Sequence, residues 1–108
     1  MTDPRAINEH LCLAAMGYEK SPRSRAFFER DENDFDAVYH FDFDPYHKIE
    51  QAIKCATTAR VKGLISDWSL CSWDDKFRAE AVNKGRIKIF ISRDPAAALS
   101  TVLDRAIV

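Results

Sequence analysis

Residues 83–92 constrain the fold more than any other stretch. Asn83-Lys84-Gly85 is a turn sequence, and Ile87, Ile89 and Ile91 then recur at every second position. Period two is the repeat of a β-strand, and the glycine supplies the positive φ of a tight hairpin. Phe77, Ala79 and Ala81 alternate in the same way before the turn. Together the two runs predict paired antiparallel strands, the first over Phe77 to Val82. Leu64 to Trp73 precedes them, with Trp68 and Leu70 on alternate positions, and predicts the first strand of a three-stranded meander. Phe90 falls on the face opposite the three isoleucines, so both faces of the sheet need cover.

Three Asp-Pro pairs mark helix starts: Asp3-Pro4, Asp44-Pro45 and Asp94-Pro95. A carboxylate accepts from the free N–H groups of a first turn, and proline has the φ of that turn and no N–H to lose. The first helix is predicted to run from Pro4 to about Met16, with Ile7, Leu11, Ala14 and Ala15 inward and Gly17 as its stop. The second runs from Asp44-Pro45 to about Thr58, with Tyr46, Ile49, Ile53 and Ala56 inward. The last follows Asp94-Pro95 and buries Leu99, Val102, Leu103 and Ala106. The second and last helices match at a constant offset. A shared start signal explains this more simply than an internal duplication. Ala37 to Phe43 alternates, with Tyr39, Phe41 and Phe43 on one face, and predicts a further strand. Tyr18 to Asp36 is rich in Ser, Arg, Asp and Glu and predicts a long loop pinned by Phe27 and Phe28. The expected fold class is α/β (α+β): one domain over 1–108, with a small antiparallel sheet of three to four strands and about three helices laid across it.

Composition narrows the function classes. The 108 residues are 46% hydrophobic and 31% charged, with a net charge of −1. That balance argues against a strongly basic nucleic-acid binder and against an acidic mimic of DNA. A chain of this length buries roughly two-thirds of its unfolded surface, so no metal, disulfide or cofactor is needed for folding. Cys12, Cys55 and Cys71 form no CxxC pair and are odd in number, which suggests a reducing compartment. The first residues are polar, and no apolar run approaches the ~20 residues of a membrane span. A cytoplasmic location is expected, with no membrane contact.

Three stretches resemble the phage ABA sandwich family of small phage and prophage proteins. Ala15-Met16-Gly17-Tyr18-Glu19 resembles the family's Met-Gly-Trp-Glu. Asp44-Pro45-Tyr46-His47-Lys48-Ile49-Glu50-Gln51-Ala52 is similar to its polar entry into an amphipathic helix. The strands around Trp68 and Ile87 to Ile91, followed by Ala96-Ala97-Ala98-Leu99, complete the likeness. The segment from Ser21 to Asp36, long and highly charged, and the polar Asp74-Asp75-Lys76 depart from the family pattern. The resemblance implies a layered α/β/α domain of phage or prophage origin with no established activity. It brings no catalytic residues.

Few constellations carry chemistry. His40, Asp42, Asp44 and His47 form an H-x-D-x-D-x-x-H run, and imidazole with carboxylate is a competent metal-ligand set. Each member also has a structural role: Asp44 as a helix cap, His47 as a solvated first-turn residue, His40 and Asp42 as the outer face of a strand. Cys71 lacks a nucleophile signature. Asp67, Asp74 and Asp75 are the candidates for an acid–base pair, but adjacent Asp74 and Asp75 suit a turn better. With three glycines there is no phosphate-cradling loop. Arg23, Arg25 and Arg30 interleave with Phe27 and Phe28, a composition used at recognition surfaces, although Glu29, Asp31, Glu32 and Asp34 cancel the charge. Trp73 and Phe90 are aromatic candidates for stacking on a base.

The expected function is that of a non-enzymatic phage accessory protein binding a host or phage macromolecule, with a protein expected as the partner and inhibition of a defence system as one such role. The alternatives are a small-ligand binder that sequesters a nucleotide or metabolite, and a metal-dependent enzyme at His40 and Asp42. Open sheet edges and a partly covered face predict a homodimer or larger homo-oligomer.

Overall fold

A computed structural model describes residues 3–20, 27–30, 37–40 and 43–107, with 27–30 and 37–40 given as backbone. The fold class is the expected one: among the described residues, antiparallel sheet with three helices. The first helix, α1 (Pro4–His10), has Asp3 as its N-cap, whose carboxylate accepts from the Arg5 N–H at 3.0 Å. It runs on into a π-helical turn, Leu11–Ala15, in which the Met16 N–H reaches back to the Leu11 carbonyl. The wider turn puts Leu11, Cys12 and Ala15 in the core, where a regular helix was expected to bury Ala14. Gly17, at φ +70°, ends it.

One three-stranded sheet is built from β1 (Glu19–Lys20), β2 (Phe27–Arg30) and β3 (Ala37–His40), paired antiparallel in that order. Phe27 to Arg30 is therefore a strand, where a loop was expected. Its pairing with Ala37–His40 runs Phe27 to His40 and Arg30 to Ala37. The second sheet orders β4 (Asp67–Trp73), β5 (Lys76–Asn83) and β6 (Arg86–Ser92) as the predicted meander. The expected start of β4 at Leu64 is three residues early, because 64–66 form the exit from the preceding helix. Asp74, at φ 61°, turns β4 into β5. Lys84 and Gly85, at φ 53° and 77°, close the β5–β6 hairpin as two residues in the left-handed region.

The second helix, α2 (Ile49–Val61), starts one turn later than its Asp-Pro pair suggests. Residues 45–47 form a turn, in which the Lys48 N–H donates to the Asp44 carbonyl, and the helix cap is Lys48 with no side-chain hydrogen bond. Its buried face is Ala52, Cys55, Ala56 and Ala59, and Ile53 is 40% exposed rather than inward. The third helix, α3 (Pro95–Ala106), keeps the expected start. The Asp94 carboxylate accepts from the Ala96 N–H at 2.9 Å. The resemblance between α2 and α3 thus does not extend to their first turns.

α3 is the centre of the core. Ala96 through Leu103 and Ala106 are all buried, on every side of the helix. β5 and β6 pack on one side, with α2, α1 and the π turn around the rest. Ala79 and Ala81, both fully buried, give α3 a flat bed on β5. His10 and Asp104, 2.7 Å apart, join α1 to α3 at the rim.

Candidate interaction face

The hairpin registers decide what each face of the second sheet carries. β5 presents Phe77, Ala79 and Ala81 to α3, since only small side chains in the middle of the strand let the helix lie close. The two-residue Lys84-Gly85 turn then pairs Ala79 with Phe90 and Ala81 with Lys88. Paired residues share a face, so Phe90 turns inward and Ile87, Ile89 and Ile91 turn outward. Phe90 is consequently half-buried, with the Arg105 guanidinium 4.9 Å above its ring, and is not free for stacking as its sequence position suggests.

The outer face reads across the sheet in rows. Asp67, Val82 and Ile87 form one row, then Ser69, Glu80 and Ile89, then Cys71, Arg78 and Ile91, with Trp73 beside Lys76 at the end. Ile87, Ile89 and Ile91 are 58, 44 and 42% exposed, and Trp73 is 63% exposed. Arg78 and Glu80 face each other at 3.4 Å along the middle strand. Two acids, Asp67 and Glu80, balance two bases, Lys76 and Arg78. The result is a flat, electrically balanced surface with an isoleucine stripe on one edge and an exposed indole at one end. Sequence reasoning singles out Trp73 but misses the isoleucines as surface residues. The signal was available in Arg78-x-Glu80, whose charges had to share a face with them.

The other proposed site residues disperse. Arg23, Arg25 and Asp42 lie outside the described residues. Phe27, Phe28 and Arg30 share β2, and His40 ends β3. Asp44 is not a helix cap. Its carboxylate accepts from the Asn8 amide at 2.7 Å and lies 2.8 Å from His47 Nδ1, while Asn8 in turn accepts from the Tyr46 N–H. This network fastens the 44–47 turn to α1. Among the described residues no group of three or more His, Cys, Asp or Glu side chains could hold a metal.

The cysteines are free. Burial pushes the Cys12 thiol up to about 12, with the Cys55 and Glu9 charges adding, and burial likewise pushes Cys55 up to about 12 against the opposing charge of Lys54. Neither is a thiolate nucleophile near neutral pH. Cys71 is exposed on the outer face of β4. No described helix is long and apolar enough to cross a membrane.

No protein-family model matches the chain, and no curated protein matches its sequence. Its fold is similar to that of a phage protein from Bacillus cereus ATCC 14579, known from a crystal structure. The TM-score is 0.69 over 98% of this chain and 93% of that one, at 15% sequence identity. At that identity the likeness is one of fold.

Proposed function

We propose that this chain is a non-enzymatic phage accessory protein of the host-cell cytoplasm, which binds a protein partner through the outer face of the β4–β5–β6 sheet. The observation that carries the proposal is the outward stripe of Ile87, Ile89 and Ile91 with Trp73 beyond it. Large aromatic and branched apolar side chains on a flat support are the usual anchors of protein interfaces. The balanced charge of the face suits a protein surface better than a phosphate backbone. The phage setting is taken from the fold neighbour, itself a phage protein, and from the sequence resemblance. Inhibition of a host defence protein is one role of this kind.

The test is a charged substitution in the stripe, Ile89→Glu, compared with the parent chain for capture of proteins from the phage-infected host. The substitution lies on a solvent-facing position, so the thermal midpoint should change little while capture of a defined partner disappears. Equal capture by both chains would sink the proposal. Light scattering at micromolar concentration separates a second copy from a different partner. A dimer that Ile89→Glu dissociates would make the face a self-interface.

A further inference from the structure

On the other side of the same sheet lies a concave site that none of the sequence motifs announces. The β5–β6 hairpin, the Gly63-Leu64 segment after α2 and the end of α3 enclose a cleft of about 610 Å³. Ligand sites for small molecules span roughly 300–1,000 Å³. Its walls are Gly63, Leu64, Asn83, Lys84, Arg86, Lys88, Arg105 and Ala106, so four cationic side chains line it and, among the described residues, no carboxylate does. No salt bridge to a described residue engages any of the four.

We propose that this cleft binds a small phosphate-bearing molecule of the size of a nucleoside polyphosphate. Two simpler roles explain single residues. A lysine on an edge strand discourages unwanted strand pairing, and an arginine in the last turn of a helix complements its dipole. Neither role requires Lys84, Arg86, Lys88 and Arg105 to meet in one concavity. Four like charges around one concavity, with no counter-charge among the described lining residues, repel one another and attract an anion, and here they do so in a chain whose net charge is −1.

The backbone register places these residues together. Arg86 and Lys88 alternate on β6, so both project to the helix side, in register with Asn83 and Ala81. Asn83 is tied to the Ala106 carbonyl at 2.8 Å, joining the strand end to the helix end. The Arg105 guanidinium is braced on the Phe90 ring. Leu64 and Ala106 add an apolar wall on which a non-phosphate part could rest. The site is independent of the outer face, since Ile87, Ile89 and Ile91 lie on the opposite side of the sheet.

Calorimetric titration of the full chain with pyrophosphate, with ATP and with a single-stranded DNA 20-mer tests the proposal. The variants are Arg86→Glu with Lys88→Glu, and as a charge-matched control Arg5→Glu with Lys54→Glu, which are exposed elsewhere. Circular dichroism confirms that each variant is folded. Removing one phosphate-contacting cation weakens such a contact at least about tenfold. The cleft variant should therefore lose measurable binding of pyrophosphate and ATP, while the control retains it within about twofold. Absence of pyrophosphate and ATP binding to the parent chain at millimolar concentration overturns the proposal. So does equal loss in both variants, which would mean unspecific charge attraction. Tighter binding of the 20-mer than of ATP, lost in the cleft variant, would overturn the small-molecule assignment in favour of a nucleic-acid surface.

Discussion

Replacing Thr101 by valine should stabilise this protein, against the usual direction of core substitutions. Thr101 sits in the middle of α3 with 1% of its surface exposed, and its hydroxyl has no hydrogen-bond partner. Valine has nearly the same shape and branches at the same carbon, so packing and rotamer are kept. The two residues also have similar helix propensities. What changes is the hydroxyl, whose transfer from water without a partner costs about 1–3 kcal/mol. The methyl keeps the site filled, and the low end of that range sets the expected gain, about 1 kcal/mol. For a domain of this size that raises the thermal midpoint by about 4 °C. Urea denaturation with an unchanged m-value is the assay, since a shifted midpoint at constant slope reports stability alone. Ser100→Ala, at the neighbouring unpartnered hydroxyl, should move stability in the same direction by a similar amount. A loss of about 0.5 kcal/mol or more in Thr101→Val would refute the reasoning, because it would mean that the hydroxyl is bonded in the folded protein.

Leu99→Ala empties a fully buried site on the same helix and should cost about 2–5 kcal/mol, read as a lower urea midpoint. Asp94→Ala removes the carboxylate that caps α3 and should cost about 1 kcal/mol, visible in the same measurement. Iodoacetamide at pH 8 should modify Cys71 in the native protein and reach Cys12 and Cys55 only after unfolding, as mass spectrometry of the adducts would show. Those two buried thiols stay protonated where unfolded thiols ionise, so the folded state keeps protons that the unfolded chain has lost. Stability should therefore be fully present below about 9 and fall as pH rises toward about 12, and Cys55→Ala should flatten that decline.

How far the sequence reveals this molecule depends on the range of the interaction that sets each feature. The β5–β6 hairpin and the start of α3 are set by neighbours in the chain, Lys84-Gly85 and Asp94-Pro95, and both are legible. The face of β6 is set by α3 lying on Ala79 and Ala81 and passed through the turn register, so the hydrophobicity of the isoleucines points the wrong way. At α2 the local Asp-Pro signal is overruled by Asn8, which claims the Asp44 carboxylate and the Tyr46 N–H from a distant part of the chain. The strand at Phe27–Arg30 is short, and its charged flanks hide its period. Arg86-x-Lys88 does show in sequence as two cations on one face. Only the tertiary fold adds Arg105 and makes them a cleft.

The position of α3 also bears on how the chain is made. Among the described elements it is the last in chain order, and β5, β6, α2, α1 and the π turn all pack on it. Synthesis proceeds from the other end, so α1, α2 and the β4–β6 meander emerge with their apolar faces open and nothing to close them. Leu11, Ile65 and the Ala79-Ala81 bed wait for residues 95–106. Until residues 95–106 are available, the surface that α3 covers stays open, and docking of that helix is the step that closes the core.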